Sequence, residues 1–159
     1  MNRDAEMATK LHRLRAWMSD ADLNALLLRT RANFAWLTAG GRSMVNEASP
    51  IGVGTLVVTA DRVILLANNI EAQRLVEEEL TGLDIEVAEY PWHEPAGESR
   101  RLERIMGETN IADGAIAVDA GDGGRDMSGA ITALRQPLLP AEIDRYRTLG
   151  EVVATLAED

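Results

Sequence analysis

Three carboxylates and three glycines follow a short apolar run in the stretch DAGDGGRD, Asp119 to Asp126. Calcium loops place oxygen ligands at alternate positions, but Gly121 and Gly123 stand where two of those ligands are needed. The stretch also lacks the Lys followed by Ser or Thr of a phosphate loop, and the dinucleotide fingerprint needs its glycines at other offsets. We therefore interpret it as a turn between a strand and a helix, with Asp126 or Ser128 as the helix cap.

Two histidines, His12 and His93, are the chain's candidates for transition-metal binding or proton transfer. A catalytic metal centre needs several converging donors, and these two lie far apart in sequence without a paired ligand at helical spacing. His12 is expected on the surface of a helix. His93 could pair with Glu94 or Glu98 as a base with its orienting partner, but WHEP is more simply an exposed loop. No catalytic residue and no metal ligand is therefore predicted.

The segment Gly40 to Gly54, GGRSMVNEASPIGVG, is a long run of small and polar residues with one cation. Loops longer than about a dozen residues are commonly functional or mobile, and we expect the Gly40–Gly41 pair to release the chain into a free loop. Arg42 could bind a carboxylate through two parallel hydrogen bonds, and Asn46 could orient an amide. A surface arginine in a flexible loop is the alternative. Ser43 and Ser49 lie outside any G-x-S-x-G elbow, so no nucleophile is expected.

Composition limits the classes of protein to which the chain can belong. Its 159 residues suffice for one domain, and 46% apolar with 26% charged residues is typical of a globular protein. No apolar run reaches the ~20 residues that span a bilayer, and the amino terminus has no secretory signal, so we expect a cytoplasmic protein without a membrane partner. The net charge of -10 disfavours nucleic acid as a partner. The absence of cysteine excludes disulfides and thiolate metal sites.

Hydrophobic periodicity predicts the elements that position these residues. An amphipathic helix is predicted from about Asp4 to Ser19 by apolar residues spaced four, three and four positions apart, namely Met7, Leu11, Leu14 and Met18. After a polar break, LNALLLR is typical of a strand buried on both faces, although periodicity alone does not exclude a helix there.

Two β-rich runs, Thr55 to Thr59 and Arg62 to Ala67, are separated by two residues and predict a hairpin. Asn68 or Asn69 is then expected to cap a helix that Gly82 ends. The remaining runs predict a half-exposed strand in DIEVAEY, a helix in SRRLERIMGE closed by Gly107 or Asn110, a strand in IAVDA and a helix in MSGAITALRQ. This order predicts an α/β domain with a mixed sheet that contains a β-hairpin and is flanked by helices.

The last segment, PLLPAEIDRYRTLGEVVATLAED, predicts a helix that begins at Pro140, since the first helical turn tolerates proline. Its apolar residues recur at helical spacing to the last residues and are Ile143, Tyr146, Leu149, Val153 and Leu156. Because this stripe needs a surface to cover it, we expect the coded protein to continue beyond Asp159.

The segment LNALLLRTRANFAWLTAGG resembles the start of the amino-terminal domain of the creatinase, prolidase and aminopeptidase P family. In that domain a strand, an asparagine and an aromatic–Leu–Thr–x–Gly segment follow a first helix. The matching positions are Asn33, Trp36, Leu37, Thr38 and Gly40. The hairpin and the helix after it also occur where that domain has them, so the resemblance covers nearly the whole chain.

The resemblance implies the fold and the division of the chain. Residues 1–139 would form a creatinase N-terminal-like domain with ribonuclease H-like topology. Residues 140–159 would begin the linker helix to a catalytic domain that is absent from this chain, where Glu142, Ile143 and Leu149 fit the family pattern.

The resemblance also implies where the chemistry lies. In this family a separate carboxy-terminal pita-bread domain holds two divalent metal ions, expected to be Mn, Co or Zn, through two aspartates, one histidine and two glutamates. Asp119 and Asp126 are too close in sequence to be that aspartate pair, so no metal role is transferred to them. The family's amino-terminal domain helps to form a homodimer and lends loop residues to the rim of an active site. Here those rim residues would be Arg42 and Asn46.

We therefore predict a noncatalytic N-terminal domain of a metal-dependent Xaa-Pro peptidase (prolidase or aminopeptidase P-like) or of a creatinase-like hydrolase. It would contribute to dimerisation and to active-site access and would be inactive alone. The alternative is a stand-alone binding or dimerisation module without a catalytic half, and a small enzyme around His93 and Asp119 is a third hypothesis. The parent substrate could be an Xaa-Pro dipeptide, a longer peptide or a small guanidino or amide compound.

Overall fold

The leucine-rich run after the first helix forms a central strand of a mixed sheet. The computed structural model describes residues 2–109 and 115–158. The strands in these residues are β1 Ala25–Thr30, β2 Ile51–Thr59, β3 Val63–Asn68, β4 Glu86–Tyr90, β5 Ile116–Val118 and β6 Arg125–Asp126. They form one six-stranded sheet in the order β4-β3-β2-β1-β5-β6.

Strand β1 has a continuous apolar sequence because its two faces contribute to two different cores. Leu26 and Leu28 pack into the core on one side of the sheet, whereas Leu27 packs into the core on the other side. All three side chains are fully buried. The predicted strand with two buried faces is confirmed.

The pairing of the strands confirms the predicted mixed sheet. β1 pairs antiparallel with β2 and parallel with β5, while β3 pairs parallel with β4. β2 and β3 form the predicted antiparallel hairpin. The hairpin is longer than predicted because β2 begins at Ile51, inside the segment expected as loop, where Ile51 pairs with Thr30 beyond an irregularity in the ladder.

The helices cover both faces of the sheet. They are α1 Arg3–Asp20, α2 Arg31–Leu37, α3 Ala72–Arg74 continued by a π-helical turn Leu75–Glu79, α4 Gly97–Glu108, α5 Ser128–Arg135 and α6 Pro140–Glu158. The predicted stripe of α1 is confirmed, since Met7, Leu14 and Met18 are buried in the same core as Ile131 of α5. On the opposite face, α4 inserts Ile105 into the second core.

Several boundaries differ from the prediction. Gly107 lies inside α4, which ends one residue later, because an exposed glycine weakens a helix by only about 1 kcal/mol and does not stop it. Asn110 lies outside the described residues. The segment GDGGRD, predicted as loop, contains β6, which pairs with β5. The prediction that Asn68 or Asn69 caps the next helix is wrong, because α3 begins at Ala72 and its N-cap, Glu71, makes no side-chain capping bond. Oδ1 of Asn68 instead accepts hydrogen bonds from the amides of Ile70 and Glu71, at 3.0 and 3.1 Å, in the turn before the helix.

Helix α6 is present as predicted, but the apolar stripe that it carries faces solvent. Its exposed members are Ile143, Tyr146, Leu149, Val152, Val153 and Leu156, of which Leu156 is 71% exposed. In the part of the chain that the structure describes, no helix combines the length and the apolar character needed to cross a bilayer.

Candidate functional site

The most acidic loop of the sequence is a structural turn centred on Asp119. The carboxylate follows β5, is buried, and accepts four hydrogen bonds. Its Oδ1 accepts from the amide of Arg29 at 2.7 Å. Its Oδ2 accepts from the amide and hydroxyl of Thr30 at 3.0 and 2.7 Å and from Nδ2 of Asn33 at 2.6 Å. Oδ2 therefore accepts three of the bonds and Oδ1 one, and the carboxylate joins the end of β5 to the end of β1 and the start of α2.

The rest of the DAGDGGRD stretch also serves the fold. Gly121 and Gly123 adopt φ values of 75° and 99°, which favour glycine. Oδ1 of Asp126 accepts a hydrogen bond from the amide of Ser128 at 2.9 Å, and this bond lowers the pKa of the carboxyl. Of the two predicted caps, Asp126 is therefore the residue whose side chain binds the start of α5.

The two histidines do not join a cluster. His12 is exposed on α1, as predicted, and His93 is exposed next to Trp92, with the ring centroids 5.9 Å apart. Glu94, considered as a partner for His93, instead accepts a 2.6 Å hydrogen bond from Arg100. Within residues 2–109 and 115–158, no three His, Asp or Glu side chains converge to hold a metal ion. These residues do not fit a dinuclear metal centre.

The loop that follows α2 is anchored at its start and open further on. Gly41, expected to release the chain into a free loop, is instead buried, and a Cβ there would lie 2.6 Å from Oγ1 of Thr38. Oγ of Ser43 accepts from the amide of Gly54 at 2.9 Å and donates to its carbonyl at 3.2 Å. The expectation of a free loop is wrong for this part, because the loop pairs with the beginning of β2.

Arg42 and Asn46, the predicted rim residues, are both exposed. The amide of Arg42 donates to Glu79 at 2.8 Å, and its Nε lies 3.5 Å from the same carboxylate. Its side chain is 75% exposed, so the guanidinium is accessible. Oδ1 of Asn46 accepts from the amide of Ala48 at 2.9 Å, which folds a tight turn. The structure places the two residues on the same loop, and their role as rim residues stays a prediction.

A buried charge cluster joins the first helix to the last. Nζ of Lys10 donates to Glu6 at 2.7 Å and to the carbonyl of Trp36 at 2.8 Å, and lies 2.8 Å from the carboxylate of Glu142. Arg145 binds Glu6 through two hydrogen bonds of 2.9 and 2.8 Å. Burial raises the pKa of Glu6, but the hydrogen bonds and charges of Arg145 and Lys10 outweigh it, so the pKa lies below its ordinary value. The bond to Glu6 in turn raises the pKa of Arg145.

Sequence reasoning missed this cluster, although a signal was present. Lys10 lies between Met7 and Leu14 at helical spacing, so it occupies a position on the buried stripe of α1. Glu6 precedes it by four residues, a spacing that brings opposite charges together on a helix. A charge on the apolar stripe with a partner one turn away indicates a buried ion pair.

Two neighbouring cavities lie beside α2. The first, of about 660 Å³, is lined by Arg42 and the Asp119 region, among others. The second, of about 730 Å³, is lined by residues of α2, α5 and α6 and by Glu6 and Lys10 of the buried charge cluster. Both are lined by Ala32, Ala35, Thr132 and Arg135.

Sequence comparison assigns the family to which this fold belongs. Residues 10–122 match the sequence pattern of the creatinase/prolidase N-terminal domain. The chain belongs to this family. No protein of curated function matches the chain in sequence.

Solved structures of Xaa-Pro peptidases share the fold. The N-terminal domain of an Xaa-Pro dipeptidase from Lactobacillus brevis is 17% identical with a TM-score of 0.59, and the match covers 78% of this chain and 98% of that one. An aminopeptidase P from Streptococcus thermophilus is 16% identical with a TM-score of 0.56, covering 82% and 98%.

A longer relative shows the size of the matching part. An Xaa-Pro dipeptidase from Bacillus anthracis is 13% identical with a TM-score of 0.60, and the match covers 87% of this chain. It covers only 38% of the dipeptidase chain. The domain described here therefore corresponds to a minor part of that relative.

The residues that carried the family resemblance have structural roles in this creatinase/prolidase N-terminal domain. Asn33 binds the Asp119 carboxylate, and Leu37 is fully buried. Oγ1 of Thr38 donates to the carbonyl of Phe34 at 2.8 Å and accepts from the amide of Gly41 at 3.0 Å. The motif thus fixes α2 and the turn after it.

Proposed function

We propose that this chain is the noncatalytic N-terminal domain of a metal-dependent Xaa-Pro peptidase, prolidase or aminopeptidase P-like, or of a creatinase-like hydrolase. The observation that carries the proposal is the pair of structural matches, which covers nearly all of an isolated N-terminal domain but 38% of a longer dipeptidase. The residues described here supply no cluster of metal ligands. The metal ions and the reacting groups would then belong to a partner domain, the carboxy-terminal catalytic half.

The last helix is the element that would dock on that catalytic half. Glu142, in the first turn of α6, is fixed to the core by its ion pair with Lys10. From Ile143 onward, the apolar stripe of α6 is exposed to solvent. A helix held at its base with an open apolar face is suited to packing against a second domain. Residues 1–139 would be the domain and residues 140–159 the start of the linker helix.

Arg42 and Asn46 would contribute to the rim of an active site, including that of a second subunit in a homodimer. The exposed guanidinium of Arg42 can bind a carboxylate on a substrate or on a neighbouring domain. The substrate would be an Xaa-Pro dipeptide, a longer peptide or a small amide or guanidino compound in the cytoplasm. The role is one of access and positioning, since neither residue contacts a catalytic group of this chain.

The coding sequence after Asp159 tests this proposal. We expect an open reading frame of several hundred further codons that contains two aspartates, one histidine and two glutamates in the order of the pita-bread metal site. A stop codon directly after Asp159, in a genomic sequence free of frameshifts, would contradict the proposal and favour the alternative function.

That alternative is a stand-alone binding or dimerisation module, and the exposed stripe of α6 is the observation that favours it. Two copies could bury their stripes against each other in place of a catalytic half. Light scattering on the purified chain tests this second function, which predicts a stable dimer of the 159-residue chain that dissociates when Leu149 or Val153 on the stripe is replaced by serine.

A further inference from the structure

Three buried side-chain atoms have no hydrogen-bond partner among the described residues, and all three belong to residues that line the cavities beside α2. They are Oδ1 of Asn33, Nε1 of Trp36 and Nε of Arg135. Buried polar groups in folded proteins are nearly always paired, so each exception needs an explanation. They make the surroundings of the two adjoining cavities the part of the described residues where buried side-chain polar groups are least well paired.

Two of the three, the hydrogen-bond donors, line the second cavity. Trp36 is 8% exposed and its indole N–H can only donate. Arg135, at the end of α5, is partly buried and lines both cavities. The cavity beside them exists because α2 places two small side chains there, Ala32 and Ala35. These residues are three positions apart and therefore share one face of the helix.

The charged side chains that line the second cavity include one more cation than anions. Glu6 is bound by Lys10 and Arg145, and Glu142 is bound by Lys10. These two carboxylates and two cations compensate one another. Arg135 is the remaining charged residue of the lining, so the cavity has a net positive charge within a protein of net charge -10. A cavity of this sign attracts an anion.

The same cavity is also lined by apolar residues. Leu138 precedes α6, and Tyr146 and Leu149 extend from it. The cavity therefore combines an arginine and an indole donor with a hydrocarbon surface. Ligand sites typically have this composition, a few polar groups in a mostly apolar cleft of about 300 to 1,000 Å³.

We propose that the cavity between α2, α5 and α6 is a binding site for an organic monocarboxylate with an apolar body. Arg135 binds the carboxylate beside the indole of Trp36, and Leu138, Tyr146 and Leu149 contact the apolar body. Inorganic phosphate fits less well, because a dianion calls for several cations and the apolar wall offers it nothing. The site consists of residues of this chain, but Tyr146 and Leu149 also belong to the face of α6 that the proposed function assigns to a second domain, so the binding test uses the 159-residue chain by itself.

NMR titration of the ¹⁵N-labelled 159-residue chain tests the proposal. The chain has three tryptophans, and the indole signal of Trp36 is assigned by removing Trp17 and Trp92 in turn. The probes are hexanoate, hexanamide, acetate and inorganic phosphate. We expect hexanoate to shift the Trp36 indole signal saturably, while the signals of Trp17 and Trp92 stay unchanged. Acetate lacks the apolar body and hexanamide lacks the charge, so each should bind about tenfold or more weakly.

Two arginine variants show whether the effect belongs to the site. Arg135→Gln should weaken hexanoate binding about tenfold or more, because it removes a charged hydrogen bond. Arg147→Gln removes the same charge from an exposed position on α6 and should leave binding unchanged. The proposal is overturned if hexanoate gives no saturable shift, as with a cavity that holds only water. It is likewise overturned if phosphate binds more tightly than hexanoate, or if both variants bind like the unaltered chain.

Discussion

The ammonium group of Lys10 in the first helix lies 2.8 Å from the carboxylate of Glu142 in the last helix, and both side chains are nearly inaccessible to solvent. This contact joins segments that are 132 positions apart in sequence (142 minus 10). It holds the first turn of α6 against the body of the domain, whereas the rest of that helix is exposed. The direction in which the chain leaves the domain is therefore set by a buried ion pair.

Breaking this pair should destabilise the domain. Glu142→Ala leaves Lys10 with one carboxylate fewer in a buried site, and we expect a loss of about 2 to 4 kcal/mol in the free energy of unfolding. Urea denaturation measures it. Glu151→Ala on the exposed part of the same helix is the matched control and should change stability by less than about 0.5 kcal/mol. Equal stability of the two variants would show that the pair does not fix α6.

Lys10 is the only lysine of the chain, which gives an independent measure of its burial. An amine-reactive reagent should label this residue far more slowly in the folded chain than in urea, because its Nζ is enclosed by three oxygen atoms. Mass spectrometry of proteolytic peptides follows the label. Glu142→Ala should accelerate the labelling at Lys10. Rapid labelling of the unaltered folded chain would contradict the burial.

The depressed pKa of Glu6 predicts how stability depends on pH. Glu6 releases its proton at a lower pH in the folded than in the unfolded chain, so its contribution is fully present above the ordinary value of 4.5 and is lost as the pH falls through the lower, folded pKa. Glu6→Gln removes this dependence and also weakens the cluster. Urea unfolding over a pH series should therefore give curves for the two proteins that converge below pH 4.5. Parallel curves would rule out Glu6 as the source.

The sequence predicted the elements better than the contacts between distant ones. α1 and the hairpin followed from periodicity and local turn signals, both of which act over a few residues. The role of Asp119 did not follow, because three of its hydrogen-bond donors come from Thr30 and Asn33, almost ninety positions earlier. A carboxylate in a glycine-rich stretch has the same local pattern whether it binds a metal or the backbone of a distant segment.

Replacing the Asp119 carboxylate should loosen the start of α2. Asp119→Asn turns one acceptor into a donor that faces other donors, so we expect a loss of about 2 to 3 kcal/mol in the free energy of unfolding. Hydrogen exchange gives the specific readout, because the amides of Arg29 and Thr30 lose the acceptor that protects them. Asp122→Asn, at an exposed position in the same turn, is the control. Unchanged exchange at both amides would contradict the arrangement.

The open face of α6 can be tested with a matched pair of leucines. Leu149→Ala should change the free energy of unfolding by less than about 0.5 kcal/mol, because this side chain already contacts water at 57% exposure. Leu14→Ala on α1 removes a fully buried side chain and should cost about 2 to 5 kcal/mol. Thermal or urea unfolding measures both. A large loss for Leu149→Ala would mean that this face is covered in the isolated chain.

The candidate site was less predictable than the fold for the same physical reason. Arg42 and Asn46 could be selected from local composition, since they lie in one glycine- and serine-rich segment. Arg135 and Trp36 could not, because nothing in the sequence around either shows that α5 and α2 leave a cavity between them. Whether a donor lacks a hydrogen-bond partner can be judged only from the positions of all its potential partners.

Under the proposed function, the metal ions and the reacting groups belong to a catalytic half outside the residues of this chain. Hydrolysis of the dipeptide Ala-Pro by the purified 159-residue chain, with Mn²⁺ or Co²⁺ added, tests it most directly. We expect no release of proline above that of buffer with the same metal. Turnover that stays with the protein through further purification and disappears on chelation would contradict it, since it would require a metal centre within these residues.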